Sequence, residues 1–428
     1  MNIMQLKQYI EAGEADAALL EVYEKQALNH AKQRCLQLID AFALRFGQHE
    51  REVVLISVPG RSELSGNHTD HNHGRVIAAS IDLDVLAVAA ARQDGVIHLE
   101  SEGFAPETVC LSPLPTPETV AAGTSGALIA GMADGFASLG LPYGGFDACM
   151  TSQVLRGSGL SSSAAYEVAV GWILNALYCN GTVDAVTVAK LSQRAENLFF
   201  GKPCGLMDQT ACAVGGMVAI DFADPKEPVV ESIRFDMTGA GYALCIVDTG
   251  GNHADLTADY ASVPAEMKAV ASALGKAVLR ETDEAAVLSS IKILRESVGD
   301  RAVLRALHFF EENKRVCEQM AALKEGDLDR YFRGVLASGR SSFCYLQNVY
   351  TTVNVAEQGL SLALCLAERV LAEARSAWRV HGGGFAGTIQ AYVPTAMVPT
   401  FRAVMDAAFG EGACLELHIR PVGAVRLA

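Results

Sequence analysis

A predicted strand, a glycine-rich turn and a predicted helix follow one another at residues 146–179, and this succession constrains the fold more than any other feature of the chain. The run FDACMTSQVL favours a strand, and AAYEVAVGWILNALYC favours a helix. In the turn RGSGLSSS, Gly157 and Gly159 precede three consecutive serines. Glycine lets the backbone approach a ligand closely, and the serine hydroxyls and the helix start supply hydrogen-bond donors. The stretch therefore predicts a phosphate-binding site.

The turn does not follow either of two common phosphate-binding motifs. Its spacing differs from the GxxxxGK[ST] of the P-loop and from the GxGxxG of dinucleotide sites. A capped helix after an ordinary turn would explain the local residues as well, although one cap uses only one serine. Phosphate binding and simple helix capping therefore remain alternatives at this point.

The composition is that of a globular protein with a large core. A chain of 428 residues is too long for one ordinary core and predicts two, or at most three, domains. Half of the residues are hydrophobic and 19% are charged, which excludes global disorder. The formal net charge of −15 disfavours nucleic acids and anionic membranes as partners. A phosphate ligand remains compatible with this charge, because backbone amides bind anions locally.

The cysteines and the N-terminal sequence bear on the cellular compartment. Eleven cysteines occur without CxxC pairs, and Cys149, Cys179, Cys245 and Cys365 lie within apolar runs, as expected of buried reduced thiols. MNIMQLKQYIEAGEADAALL lacks the basic and apolar regions of a secretory signal, and no apolar run reaches about 18 residues. A cytoplasmic location without membrane attachment is therefore expected.

The remaining periodicities predict α+β structure in each half of the chain. Residues 4–47 show helical spacing and are expected to form a lid or a packing layer. Strands are predicted within 53–60 and 75–101, whereas 264–376 is mostly amphipathic helix. The segment DPKEPVVES, at 224–232, combines prolines and charges with the end of a strand, so it is the best candidate for a domain boundary.

Two acidic residues in AENLFFGKPCGLMDQTACAVGG form a second candidate site. Glu196 and Asp208 lie on successive helical segments that GKPCG interrupts, and such a kink would aim both carboxylates into one cleft. Phosphoryl transfer requires one carboxylate on a divalent metal and one near the acceptor hydroxyl. The simpler interpretation is that Glu196 is a solvated helix residue and that Asp208 is an acid in the first turn of a helix.

Three consecutive glycines in RVHGGGFAGTIQAYV form the third feature. Each glycine costs about 1 kcal/mol in a regular element relative to alanine, so packing does not explain the three together. They predict backbone that lies close to a ligand or to another loop.

The fourth feature is the histidine-rich stretch GRSELSGNHTDHNHG at residues 60–74. His68, His71 and His73 with Asp70 contain the right ligand types for zinc, but all four are crowded into one short turn. A loop that binds hydroxyl groups is the better interpretation. The residues that offer donors and acceptors suited to a polyol are Arg61, Asn67, His68 and Asp70.

In this order and at these separations, the four stretches resemble the galactokinase branch of the galactokinase, homoserine kinase, mevalonate kinase and phosphomevalonate kinase (GHMP) family. PGRSELSGNHTDHNHG, GSGLSSSAAYEVA, AENLFFGKPCGLMDQ and HGGGFAGT carry the resemblance. It implies an α+β fold of two domains, 1–225 with a mixed sheet and helices and 226–428 with a ferredoxin-like arrangement. The active site would lie in the cleft between them, in a monomer or weak homo-oligomer.

The resemblance also implies a reaction, in which a phosphoryl group is transferred from ATP, with Mg²⁺, to the anomeric hydroxyl of galactose or a close relative. It assigns individual residues to parts of this reaction. Asp208 matches the catalytic aspartate, and Arg61 matches the arginine that keeps it ionised; both would contact the sugar. Ser163 and Glu196 match the pair that holds Mg²⁺. The positions that match the loop around the ATP phosphates, and that contribute to nucleotide binding, are Gly157, Ser158, Gly159, Leu160, Ser161, Ser162 and Ser163. The further positions that match sugar contacts are Asn67, His68, Asp70 and Tyr260.

Two positions depart from the family pattern. Asn67 stands in GNHTDHN where galactokinases usually have the glutamate of GEHTDYN, and Ala386 replaces a usual glycine. Asn67 removes a negative charge that would repel a carboxylate at C6, and the stretch is similar to that of plant galacturonate kinases. A galacturonate or other hexose or uronate 1-kinase is therefore an alternative substrate assignment, and a non-catalytic galactose sensor is an alternative class.

Overall fold

The computed structural model describes residues 1–47, 50–154, 159–202, 204–250 and 256–428. Helices and strands alternate through most of these ranges. The helices are α1 (Ile3–Glu11), α2 (Asp16–Leu20), α3 (Leu28–Phe46), α4 (Ser125–Ser138), α5 (Ser162–Tyr178), α6 (Ala185–Ala195), α7 (Met207–Val214), α8 (Thr257–Ala273), α9 (Glu284–Ser289), α10 (Ile291–Ser297), α11 (Asp300–Glu325), α12 (Leu328–Ser341), α13 (Gly359–Leu371) and α14 (Val398–Phe409). The strands are β1 (Val54–Ser65), β2 (Arg75–Ala91), β3 (Val96–Ser101), β4 (Glu107–Cys110), β5 (Phe146–Ser152), β6 (Met217–Asp221), β7 (Val229–Ile233), β8 (Tyr242–Asp248), β9 (Ala377–Val380), β10 (Thr388–Pro394), β11 (Cys414–Leu417) and β12 (Val425–Arg426).

The larger sheet is mixed and has eight strands. Its main path runs β12-β1-β2-β5-β3-β4, with β3 and β5 parallel and the other pairs antiparallel. The 17-residue β2 is long enough to pair with β5 along one half and with β6 along the other, and β6 in turn pairs with β7. The phosphate-loop candidate follows β5 and leads into α5.

Both faces of the larger sheet are covered, which explains why the start of β1 (VLISV) and the end of β2 (VLAVAAA) are nearly continuous apolar runs rather than alternating ones. In β2, Val85 and Ala87 pack on the side of α4–α7, whereas Leu86 and Val88 pack on the side of α1–α3. The N-terminal helices therefore form a packing layer on the face of the sheet opposite to the phosphate-loop helix.

The smaller sheet has the ferredoxin-like arrangement that the sequence predicted. It is antiparallel throughout, with strand order β11-β8-β10-β9. Helices α8–α13 connect β8 to β9, and α14 connects β10 to β11. The inner face packs against α11, α12 and part of the larger sheet, while α13 and α14 cover the outer face.

The larger sheet extends past the boundary expected at residues 225/226. Strand β7, at Val229–Ile233, pairs with β6, and β12 returns to pair with β1 from the C-terminal end of the chain. Part of the expected boundary segment is therefore a strand of this sheet. We propose instead that residues 234–241 divide the two domains.

The helices and the cysteines of the structure bear on two expectations, one about membrane attachment and one about buried thiols. No helix within the described ranges is long and apolar enough to cross a bilayer. All eleven cysteines lie in described parts of the chain as free thiols, and Cys149, Cys179 and Cys245 are buried. Cys365 is exposed, contrary to expectation, because the buried stripe of α13 passes through Leu360, Ala363, Ala367 and Leu371.

Candidate active site

Asp208 is held by Arg61 in a bidentate ion pair between the first turn of α7 and the bend of β1. The guanidinium donates from Nε to Oδ1 and from Nη2 to Oδ2, each at 2.8 Å. Arg61 is 8% exposed and Asp208 is 32% exposed, so the arginine lies beneath the carboxylate and the carboxylate is accessible from solvent. The two residues predicted to act together are thus joined.

The charge of Asp208 is stabilised in place. Burial alone would raise the pKa of Asp208, but the charge and hydrogen bonds of Arg61, with a further bond from Ser161, outweigh it and hold the pKa below its usual value. Asp208 is therefore ionised at neutral pH. It is available as a proton acceptor for a group that approaches from the cleft.

The described part of the phosphate loop is attached to this pair. The Ser161 hydroxyl donates to Asp208 Oδ2, and Arg61 Nη1 donates to the carbonyl oxygen of Gly159. Leu160 is fully buried, and its carbonyl oxygen accepts from the Arg61 amide at 3.1 Å. Gly157 and Ser158, also predicted to contact phosphate, lie outside the described residues.

The start of α5 is not an ordinary capped helix. Ser161 precedes the helix in a left-handed conformation with φ of 58°, and its side chain bonds Asp208 rather than capping the helix. Ser162 and Ser163 are the first two residues of α5, and both are half-buried. The helix start is therefore arranged beside the carboxylate, which favours the anion-binding interpretation over simple capping.

Glu196 lies in a π-helical turn after α6 and forms a buried cluster with a second acid. One of its oxygens accepts from Gln209 Nε2 at 2.9 Å, and the same amide donates to Glu167 Oε2 at 3.3 Å. Glu167 is fully buried on α5, four residues after Ser163, so the two project from the same side of that helix. Burial and the charge of Glu196 raise the pKa of Glu167 well above its usual value.

This cluster fits a divalent cation. Glu167 Oε1 is buried and has no hydrogen-bond partner among the described residues, and two buried carboxyl groups face one another across a single amide. Mg²⁺ prefers oxygen ligands and keeps several of its waters, so a hydroxyl and one or two carboxylates suffice. Ser163 and Glu196 are the residues predicted to hold it, and Glu167 was not predicted.

The sugar-loop candidate, residues 66–74, packs against the glycine loop, residues 382–384. Asn67 Nδ2 donates to the carbonyl oxygen of Gly382 at 2.6 Å and to Glu63 Oε1 at 3.2 Å. Asn67 Oδ1 accepts from Asn348 Nδ2 at 2.8 Å. The Asn67 side chain is 0% exposed and its polar atoms bond the protein, so it faces inward rather than toward the cleft.

His68 and Tyr260 hold the same glycine loop. His68 Nε2 bonds the Gly383 carbonyl oxygen at 2.8 Å, and the Tyr260 hydroxyl donates to the Gly384 carbonyl oxygen at 2.8 Å. A Cβ on Gly383 would lie 2.1 Å from a ring carbon of Tyr260, so a side chain has no room there. A Cβ on Gly384 would likewise lie 1.9 Å from the Asn348 carbonyl oxygen, so Gly383 and Gly384 permit close contact with other parts of the chain, as one of the two predicted explanations requires.

Burial sets the protonation of both residues. It lowers the pKa of His68 to about 4 and raises the pKa of Tyr260 to about 12. Both side chains are therefore uncharged at neutral pH.

Asp70 connects the sugar loop to the segment before Asp208. A Cβ on Gly205 would lie 2.2 Å from Asp70 Oδ2, which places this carboxylate against the backbone three residues before the catalytic candidate. His71 Nε2 lies 3.8 Å from the other Asp70 oxygen. Within the described ranges, no three His, Cys, Asp or Glu residues form a metal-binding group, so the zinc alternative has no support.

A buried ion network under the sugar loop was not predicted. Arg379, on β9, pairs with Glu63 on β1 and lies 3.7 Å from Glu312 on α11, and it also donates to Ser338 at 2.9 Å. Glu312 in turn pairs with Arg315. The network joins both sheets and α11 beneath Asn67. Its only signal in the sequence is the presence of charged residues in otherwise apolar strands.

The chain is similar to known sugar kinases over most of its length. Residues 122–216 match the GHMP kinases N terminal domain, and residues 40–91 match the galactokinase galactose-binding signature. The galactokinase of Streptomyces coelicolor is 32% identical over 82% of this chain and 88% of its own length. The galactokinase of Homo sapiens is 32% identical over 70% of this chain and 75% of its own.

Solved structures show the same fold. Lactococcus lactis galactokinase complexed with galactose superposes with a TM-score of 0.76 at 25% identity, over 90% of this chain and 98% of that one. Methanococcus jannaschii mevalonate kinase superposes with a TM-score of 0.61 at 14% identity, over 87% of this chain and 99% of that one. The sequence relationship extends over most of both chains, and the protein belongs to the galactokinase family of the GHMP kinases.

Proposed function

We propose that the protein transfers the γ-phosphoryl group of ATP to the anomeric C1 hydroxyl of galactose, giving galactose 1-phosphate and ADP. The observation that carries this proposal is the ionised Asp208, fixed by Arg61 and Ser161 at the start of α5. The galactose-binding signature and the galactokinases among the relatives support the choice of sugar.

Each residue of the candidate site has a separate role in this reaction. Asp208 accepts the proton of the C1 hydroxyl as the oxygen attacks the γ-phosphorus. Arg61 keeps Asp208 ionised and adds positive charge near the transferring group, while the donors of the phosphate loop and the start of α5 hold the other phosphates. Ser163 and Glu196 would hold Mg²⁺, which neutralises the phosphate charge when bound.

The test is a sugar panel. Purified protein with ATP and Mg²⁺ is incubated with galactose, galacturonate, glucose and other aldoses, and ADP and sugar 1-phosphate are measured. Turnover is expected to be highest with galactose. A protein that turns over no aldose or uronate would refute the proposal, and sugar-dependent partner binding without ATP consumption would support a sensor instead.

The galacturonate alternative rests on Asn67, and the inward orientation of its side chain removes much of that support. A glutamate at 67 would place a second carboxylate beside Glu63 and would lose the donor to the Gly382 carbonyl oxygen. We expect Asn67→Glu to lower the free energy of unfolding by about 2–4 kcal/mol, because it buries an unpaired charge. The ratio of kcat/KM for galactose to that for galacturonate should change by less than about threefold.

Urea unfolding and the two-sugar assay measure these effects. Asn354→Glu is the matched control, since Asn354 is exposed and the same chemical change there should leave both quantities unaltered. A shift of tenfold or more toward galactose in the Asn67 variant, without loss of stability, would restore the uronate alternative.

A further inference from the structure

We infer that Lys202 is an additional residue of the phosphoryl-transfer site. Its ammonium group pairs with the Glu196 carboxylate until a divalent cation displaces it, and the ammonium then faces the transferring phosphoryl group. The inference rests on the proposed function. Its basis is the ion pair between Lys202 Nζ and Glu196 Oε1 at 3.2 Å.

The two partners of this ion pair differ sharply in exposure. Glu196 is 4% exposed, and its second oxygen is already bonded to Gln209 from the interior. Lys202 is 62% exposed and covers the first oxygen from the solvent side. A divalent cation that approaches Glu196 from the cleft therefore meets the ammonium first and must displace it.

The backbone that carries Lys202 is anchored while the side chain remains free to move. The Lys202 amide donates to the Glu196 carbonyl oxygen at 3.1 Å, and the Cys204 amide donates to Asn197 Oδ1 at 2.7 Å. Lysine carries its charge on a flexible four-carbon stem, so the ammonium can leave one anion for another without movement of the chain. The ammonium keeps most of its contact with water while it is paired, so its transfer from Glu196 to another anion requires little desolvation.

The surrounding charges determine where the ammonium goes. Asp208, the proposed proton acceptor, lies within electrostatic range of Lys202, so the ammonium is near the carboxylate beside which the γ-phosphoryl group would meet the sugar. Once Glu196 is bound to a divalent cation, Asp208 is still paired with Arg61, which leaves the transferring phosphoryl group as the anion that the ammonium can approach. A mobile cation in this place stabilises the charge on the transferring oxygens.

The experiment compares Lys202→Met with the native protein in two measurements. Mn²⁺ binding is titrated calorimetrically without nucleotide, and turnover is measured with Mg²⁺, ATP and galactose. The variant is expected to bind Mn²⁺ roughly two- to tenfold more tightly, because the competing cation is gone. Its kcat is expected to fall about tenfold or more, and Lys202→Arg should restore part of it.

Lys190→Met is the matched control. Lys190, on α6, forms a surface ion pair with Glu227, and the loss of this pair should change neither quantity. Unchanged Mn²⁺ affinity or unchanged turnover in a folded Lys202→Met protein overturns the inference. If the native protein turns over no sugar, the proposed function fails, whereas the Mn²⁺ comparison still decides whether Lys202 occupies the metal-binding carboxylate.

Discussion

Asp208→Asn is expected to lower kcat for sugar phosphorylation by about 10²–10⁴-fold while the affinity for galactose changes little. The amide keeps the size of the side chain and one hydrogen bond to Arg61, but it cannot accept a proton from the C1 hydroxyl. Steady-state turnover measures the first effect, and calorimetric titration with galactose measures the second.

The control for this variant removes a similar charge elsewhere. Asp147 pairs with Arg51 and Arg92 at the opposite end of β5 from the phosphate loop. Asp147→Asn should lower the free energy of unfolding and leave kcat nearly unchanged. If Asp208→Asn folds and keeps more than about a tenth of the native kcat, Asp208 is not the proton acceptor. If the variant fails to fold, Asp208 is a structural residue.

Only part of the candidate site could be predicted from short stretches of sequence. The strand, turn and helix at 146–179 were predictable because apolar periodicity and glycines act locally. The pairing of Arg61 with Asp208 spans 147 positions, and it was predictable only through the family resemblance of the two stretches. Lys202 lies six positions from Glu196, just after the π-helical segment that Glu196 begins, yet nothing in the sequence pattern marked it as a partner.

The orientation of the sugar-loop side chains could not be predicted in the same way. Asn67 was expected to face a polyol, but its acceptor oxygen bonds Asn348, which is 281 positions away. Such a contact depends on how the two sheets dock, and that packing leaves no local periodicity. The sequence therefore indicated which residues gather at the cleft, while the tertiary packing decided which of them face it.

Removal of Arg379 from the buried ion network is expected to cause a large loss of stability. Arg379 is fully buried, and Arg379→Met would leave the buried carboxylate of Glu63 without its cation. Burial already raises the pKa of Glu63, against the opposing effect of Arg379, so the folded state tolerates little further loss of positive charge. The expected decrease in the free energy of unfolding is about 3–5 kcal/mol, measured by urea denaturation.

A second substitution tests the cause of this loss. In Arg379→Met/Glu63→Gln the unpaired carboxylate is gone, and about 1–3 kcal/mol of the lost stability should return, because an uncharged amide is cheaper to bury than a lone charge. Arg375→Met is the matched control, since Arg375 forms an exposed ion pair with Asp329 just before β9 and should cost less than about 1 kcal/mol. If the double variant is no more stable than Arg379→Met, the lost stability comes from the packing of the arginine side chain. The network is then not an electrostatic link between the sugar loop and the smaller sheet.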